Sequence, residues 1–187
     1  MTAPSDGTAV ELLVRLKIPD VTALTASNAL RRRMGYADLL AGLQRADYYR
    51  LTVAPPTAEE AHALVRELAE RTNVFVNPNK DVFEVRMPRA AGKKKAPRTA
   101  DGFAVEVLVT DPADGSAEGA LAALHERLGY RGRVLGLLRG TLWTLTLRTS
   151  TAEEALRVAR DIAVTERIDR GLLMNPHFQE CSIAVAS

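Results

Sequence analysis

The sequence predicts an α+β protein made of two tandem βαββαβ units. Three observations carry this reading. The second half of the 187-residue chain repeats motifs of the first in the same order. Both halves pass through strand-period and helix-period segments in the same succession. A lysine-rich segment separates them. The expected division is a disordered tail over 1–8, a first unit over 9–88, a flexible basic linker over 89–102 and a second unit over 103–187.

The repeat can be followed residue by residue. Val10-Glu11-Leu12-Leu13-Val14 returns as Val105-Glu106-Val107-Leu108-Val109, and Met34-Gly35-Tyr36 as Leu128-Gly129-Tyr130. Leu51-Thr52-Val53 returns as Leu145-Thr146-Leu147, and Asn77-Pro78 as Asn175-Pro176. Thr57-Ala58-Glu59-Glu60-Ala61 is kept whole as Thr151-Ala152-Glu153-Glu154-Ala155. The spacing is 94 or 95 residues until an insertion of four between Arg167 and Gly171. A collinear series of this kind reads as duplication.

The elements follow in order. Val10, Leu12, Val14 and Leu16 alternate with Glu11, Leu13 and Arg15, the period of a half-buried strand, and Val105, Val107 and Val109 do the same. A helix follows each. Ala26, Leu30 and Met34 form its apolar stripe in the first unit, closed by Gly35. Ala117, Ala120, Leu121, Leu124 and Leu128 form it in the second, with Ser116 as N-cap and Gly129 at C′. Two strands come next: 39–45 and 48–53 as a hairpin turning near Ala46-Asp47, then 133–139 and 141–148 turning at Gly140. Thr57-x-x-Glu60 and Thr151-x-x-Glu154 open the second helices as capping boxes, the Glu reaching back to the cap amide. Closing strands over 82–87 and 180–185 complete the ferredoxin-like order.

The charge balance limits the partners. The net charge is +2, but Arg89, Lys93, Lys94, Lys95 and Arg98 face only Asp101 in the linker region; removing them leaves 20 basic and 22 acidic residues. The basicity is local, so neither a nucleic-acid groove nor a membrane partner is expected. No apolar run approaches the roughly 20 residues of a membrane span. The small, polar N-terminus lacks the pattern of a signal peptide, and a cytoplasmic location is expected.

Few residues suggest chemistry. A single cysteine, Cys181, excludes an internal disulfide and falls on the inner side of the last strand with Ile183 and Val185, as a small hydrophobe would. His62 and His125 sit on the polar sides of helices and are expected to be solvated, and His177 is a loop residue after Asn175-Pro176. Arg31-Arg32-Arg33 ends a helix, where cations suit the dipole. Lys93-Lys94-Lys95 reads as a solubilising tether. No nucleophile motif, Walker loop or dinucleotide fingerprint occurs. No catalytic, cofactor-binding or metal-ligating residue is expected.

Taken in order, these features resemble PurS, the small subunit of phosphoribosylformylglycinamidine synthase. The resemblance rests on Val105 to Val109, Leu124 to Tyr130 with its Leu128-Gly129-Tyr130 end, Glu153-Glu154-Ala155 and Met174-Asn175-Pro176. Weaker counterparts are Val10 to Val14, Met34-Gly35-Tyr36, Glu59-Glu60-Ala61 and Val76-Asn77-Pro78. Gly35, Tyr36, Gly129, Tyr130, Asn77, Pro78, Asn175 and Pro176 are then marks of the family's turns. The resemblance implies a non-catalytic subunit that bridges a glutaminase subunit and an ATP-dependent synthetase subunit and supports ammonia transfer in purine biosynthesis. ATP and magnesium would reside on the synthetase partner. PurS is ordinarily one unit of about half this length, so this chain would be a covalent pair, similar to the duplicated region of the fused single-chain synthases.

The stretch from Ile18 to Ser27 and the insertion near Arg167 depart from the pattern, which implies that the halves face different surfaces. A second reading, a tandem ligand sensor similar to ACT domains, would use a loop such as Asp111-Pro112-Ala113-Asp114-Gly115. An RNA-recognition-like pair would need exposed sheet aromatics, and only Tyr48 offers itself. The sheet faces away from the helices carry Leu13, Leu108, Leu142 and Thr144. These apolar positions are expected to pair the units as an intrachain pseudo-dimer, with further self-association open.

Overall fold

The computed structural model describes residues 7–88, 98–166 and 170–186. The lysine run at 93–95 and the start of the insertion near Arg167 lie outside them. The elements are β1 (Thr8–Leu16), α1 (Val21–Arg33), β2 (Leu40–Val53), α2 (Ala58–Arg71), β3 (Asp81–Arg86), β4 (Arg98–Thr99), β5 (Gly102–Thr110), α3 (Ser116–Glu126), β6 (Val134–Leu147), α4 (Ala152–Ala163) and β7 (Glu180–Val185). The architecture is α+β with antiparallel strand pairing.

Both expected hairpins are corrected. β2 and β6 are single strands of 14 residues each. A two-residue hairpin turn needs positive φ at one or both central residues. Ala46-Asp47 lacks a glycine, and Gly140 is absent from the glycines with positive φ. With no turn imposed, the alternating pattern continues through both sites. The order within each half of the sequence is therefore β-α-β-α-β.

The chain forms two compact units, and each takes segments from both halves of the sequence. The first comprises the described residues of Met1–Ile18, Asp47–Ala91 and Ala113–Gly140; the second comprises those of Pro19–Ala46, Gly92–Pro112 and Thr141–Ser187. In the first, the strand order is β3-β1-β2-β6, with Leu12 opposite Tyr49 and Val85. Its helices are α2 and α3. In the second, the order is β7-β5-β6-β2, with Val107 opposite Trp143 and Ile183. Its helices are α1 and α4. Each set of four strands and two helices is compatible with a ferredoxin-like unit.

The cores explain which helix joins which sheet. Val10, Leu12 and Val14 of β1 and Leu51 and Val53 of β2 pack with Leu64, Val65 and Leu68 of α2 and with Leu124 of α3. Val105, Val107 and Val109 of β5 and Leu145 and Leu147 of β6 pack with Ala159 and Ile162 of α4 and with Leu30 of α1. Leu30 and Leu124 are fully buried, each contributing about 1.5–3 kcal/mol of apolar transfer.

Local signals fix the boundaries. Asp20 is the N-cap of α1, its carboxylate accepting the Thr22 and Ala23 amides at 2.8 and 3.1 Å. α3 begins at Ser116, so Ser116 is inside the helix rather than its cap; Gly115 holds the cap position without a side-chain bond. Leu128 lies beyond the helix and is exposed, not part of its buried stripe. Two ends of the expected irregular segments are also strand. Thr8 opens β1, and Arg98–Thr99 pairs back onto Phe103 and Gly102. Gly102 has φ 125°, and a Cβ there would meet the Leu147 carbonyl.

Candidate functional site

The turn residues marked by the repeat do the same work twice. Gly35 and Gly129 adopt φ of 78° and 74°, a left-handed conformation that costs glycine least. The amide of the following tyrosine then donates six residues back: Tyr36 to the Leu30 carbonyl at 3.1 Å, Tyr130 to Leu124 at 3.0 Å. The tyrosine rings have different neighbours. The Tyr130 hydroxyl donates to Glu67 at 3.2 Å, and the Arg133 guanidinium lies 5.3 Å from its ring centroid. Tyr36 faces Arg170 and Asp161; burial, then the Asp161 charge, pushes its phenol up.

Asn77-Pro78 and Asn175-Pro176 build one closed turn in two copies. The Asn77 side-chain oxygen accepts the Asn79 amide at 3.0 Å, and that of Asn175 accepts the His177 amide at 3.1 Å. Each Asn amide donates four residues ahead, to Asp81 at 2.8 Å or Gln179 at 2.9 Å. This is an Asx turn, and it accounts for the motif structurally.

Two histidines depart from the expectation of solvated side chains. His62 and His125 are half-buried, and Nε2 of each donates to a backbone carbonyl: Val85 at 3.1 Å and Val134 at 2.7 Å. Those carbonyls sit at strand edges or ends, where a sheet partner is missing and a side chain supplies the bond. His177 is an exposed turn residue. Cys181 is half-buried against the second core with Ile183, and burial pushes its thiol up. Arg31, Arg32 and Arg33 are exposed in the last turn of α1.

Leu13 and Leu142 are buried, Leu108 and Thr144 half-buried. Leu13 and Leu142 belong to neither helix-covered core. Beside Leu13, on the same face of its sheet, lies a network that sequence reasoning missed. The Glu11 carboxylate accepts the Tyr48 hydroxyl at 2.8 Å and Nε of Arg86 at 2.7 Å. Tyr48 is buried, not the exposed aromatic an RNA-binding sheet requires. Burial, then the Glu11 charge, pushes its phenol far up, so it stays a donor. The signal available in the sequence was the return of Glu11 as Glu106, a charge kept inside a strand pattern.

A second missed feature is repeated. Arg45 lies 3.3 Å from Asp20, and Arg139 lies 3.7 Å from Asp114. Both pairs stand 94 residues apart in sequence, so the repeat contained them. The Ser116 hydroxyl and amide, at 2.8 and 2.9 Å, hold the Asp114 carboxyl below its usual range. In the Asp111-to-Gly115 loop, Asp114 is thus engaged by its own helix and Arg139.

The third missed feature is a groove in the second unit, about 440 Å³ in volume. Thr25, Ala26 and Ala29 of α1 form one wall, Leu172 and Leu173 the other, and Trp143 is buried at its base. Among the described residues, no cluster of three or more His, Cys, Asp or Glu could hold a metal ion, and no helix is long and apolar enough to cross a membrane. Compared with known proteins, the chain matches no family model and no curated sequence.

Proposed function

We propose that this chain is a non-catalytic bridging subunit resembling PurS, coupling the glutaminase and synthetase subunits of phosphoribosylformylglycinamidine synthase for ammonia transfer. The observation that carries the reading is the placement of the family's marks. Gly35-Tyr36 and Gly129-Tyr130 close the first helices by the same long-range amide bond. Asn77 and Asn175 form the same turn before the closing strands. Motifs that are individually common thus take the same local structure, in family order, in both halves of the sequence. The chain would act in the cytoplasm as a covalent pair, with ATP and magnesium on the synthetase.

A bridging subunit needs unlike surfaces for unlike partners, and the two units supply them. The second opens a groove over Trp143, where in the first the rings at the counterpart positions, Tyr49 and Phe75, pack together. The test is affinity purification of the tagged full chain from its native host, followed by identification of stoichiometric companions. Recovery of both the glutaminase and the synthetase subunit is expected. Purification without either, from cells making purines de novo, overturns the proposal.

A further inference from the structure

We propose that the groove over Trp143 docks an acidic, amphipathic helical segment of a partner protein. Three observations lead there. The first is the apolar lining. Thr22, Thr25, Ala26 and Ala29 are small side chains along one line of α1, so the helix stands back from Leu172 and Leu173 and leaves Trp143 as the floor. The rim is apolar and unusually open: Val21 is 72% exposed and Leu172 is 39% exposed. In the first unit, the sequence counterparts of Trp143 and Leu173 are Tyr49 and Phe75, and those rings pack together at 4.8 Å.

The second observation selects the type of segment. The Leu172 amide already donates to the Ile162 carbonyl at 2.9 Å, and those of Leu173 and Met174 donate to Ala163. A strand-adding peptide would need free backbone donors along that wall. Recognition must instead come through side chains entering the cleft, the helix-in-groove mode, with apolar anchors at helical spacing.

The third observation selects the charge. Arg31, Arg32 and Arg33 follow Ala29 at the end of the same helix and are exposed. No ion pair or side-chain hydrogen bond engages any of them among the described residues. Two of them continue the groove-lining positions: Arg33 stands one helical turn beyond Ala29, and Arg32 lies seven residues beyond Thr25. The C-terminus of α1 adds no positive potential, so these side chains are themselves the cationic end of the groove. Carboxylates flanking the apolar anchors complement them.

This inference stands apart from the PurS reading, since any partner bearing such a segment satisfies it. Trp143 is the chain's one tryptophan, so its fluorescence reports directly on the groove. The probes are two synthetic amphipathic helices with the same leucine stripe, one carrying glutamates on its flanks and the other lysines. The full chain should show a saturable change in Trp143 emission with the glutamate peptide, weakened by added salt. The lysine peptide should bind at least about tenfold more weakly. The Arg31→Glu, Arg32→Glu, Arg33→Glu triple variant should invert that order. Leu172→Glu, at an exposed rim, should weaken the glutamate peptide by about tenfold or more with no change in melting temperature. Equal affinity for both peptides, or no Trp143 response to either, overturns the proposal. So does concentration-dependent self-association that Leu172→Glu abolishes, because a second copy would then be the occupant.

Discussion

The two compact units share their backbone devices and differ in what they present. Both close a helix on Gly-Tyr, cap a second helix with Thr, and turn on Asn-Pro. On the sheet face away from the helices, however, the first unit sets Glu11 opposite Arg86 and Arg50, and Leu13 opposite Glu84. The second sets Glu106 opposite Ala184 and Thr144, and Leu108 opposite Ser182. The first is a charged ladder and the second is mostly small and neutral. Residues that fix backbone geometry recur, and so does the Asp20–Arg45 pair as Asp114–Arg139, while the partners across this sheet face do not. That division is expected where units of one architecture present different contacts.

The sharpest way to break this comparison is a charge placed at Leu13 and at its counterpart Leu108. Leu13 is fully buried and Leu108 half-buried. An uncompensated carboxylate at a fully buried apolar site costs on the order of 4 kcal/mol. Leu13→Glu should therefore lower the urea midpoint severely or aggregate the chain, and Leu108→Glu should cost about half as much. Equal losses would show that the two faces are equally covered.

The next effect tests the charged network. Glu11→Ala removes the acceptor for both Tyr48 and Arg86 and should cost about 2–3 kcal/mol, the range for leaving partly buried polar partners under-satisfied. A double-mutant cycle with Tyr48→Phe should give a coupling of about 1 kcal/mol. The same network predicts an alkaline weakness. The folded Tyr48 phenol has its pKa raised above the free value of 10.0. The stability linked to it is therefore complete below pH 10 and is lost as pH rises beyond it. Burial raises all four tyrosines and Tyr48 the furthest, so tyrosinate absorbance should show the last native tyrosine titrating earlier in Glu11→Ala, because the Glu11 charge is the second cause of the Tyr48 shift.

A smaller effect distinguishes the first helices. Asp20→Ala removes an N-cap accepting two amides, together with the Arg45 contact, and should cost about 1–1.5 kcal/mol. Asp114→Ala should cost less, since Asp114 is exposed and bonds Ser116 rather than filling the cap position. Amide exchange in the first turns of α1 and α3 would register both.

What the sequence made legible follows from this division. Strand and helix periods, both Gly-Tyr ends, both Thr caps and the inward placement of Cys181 are local or periodic properties, and they were readable. The hairpins at Ala46-Asp47 and Gly140 were not, because a 14-residue strand and two short ones share the same alternation. Only the missing left-handed residue argues for continuity. The composition of the compact units depends on that choice. If the strands turn, α1 and α3 belong to their own halves; with the strands straight, Leu30 packs with β5 and Leu124 with β1. The groove is not legible in the sequence because it depends on the difference in size and position between Trp143–Leu173 and Tyr49–Phe75, which no periodicity encodes.

The smallest expected difference lies in the capping boxes, where the sequences are identical over five residues. Thr57 Oγ1 accepts the Glu60 amide at 3.3 Å, and Thr151 Oγ1 accepts the Glu154 amide at 3.1 Å. The returning glutamates differ, and neither takes the cap amide as expected. The Glu60 carboxylate accepts the Thr57 hydroxyl at 2.7 Å, whereas that of Glu154 accepts the Ser150 amide at 2.9 Å. Thr57→Ala and Thr151→Ala should each cost about 1 kcal/mol, the usual value for losing an N-cap oxygen. Glu154→Ala should cost a few tenths of a kcal/mol more than Glu60→Ala, because it returns a backbone amide to solvent while the other releases only a freely rotating hydroxyl. Paired urea titrations of the two glutamate variants measure that gap. A reversed order would mean that the Glu60–Thr57 bond organises its helix start more than the Ser150 amide bond organises the other, making the one fully repeated motif the place where the two units diverge most in energy.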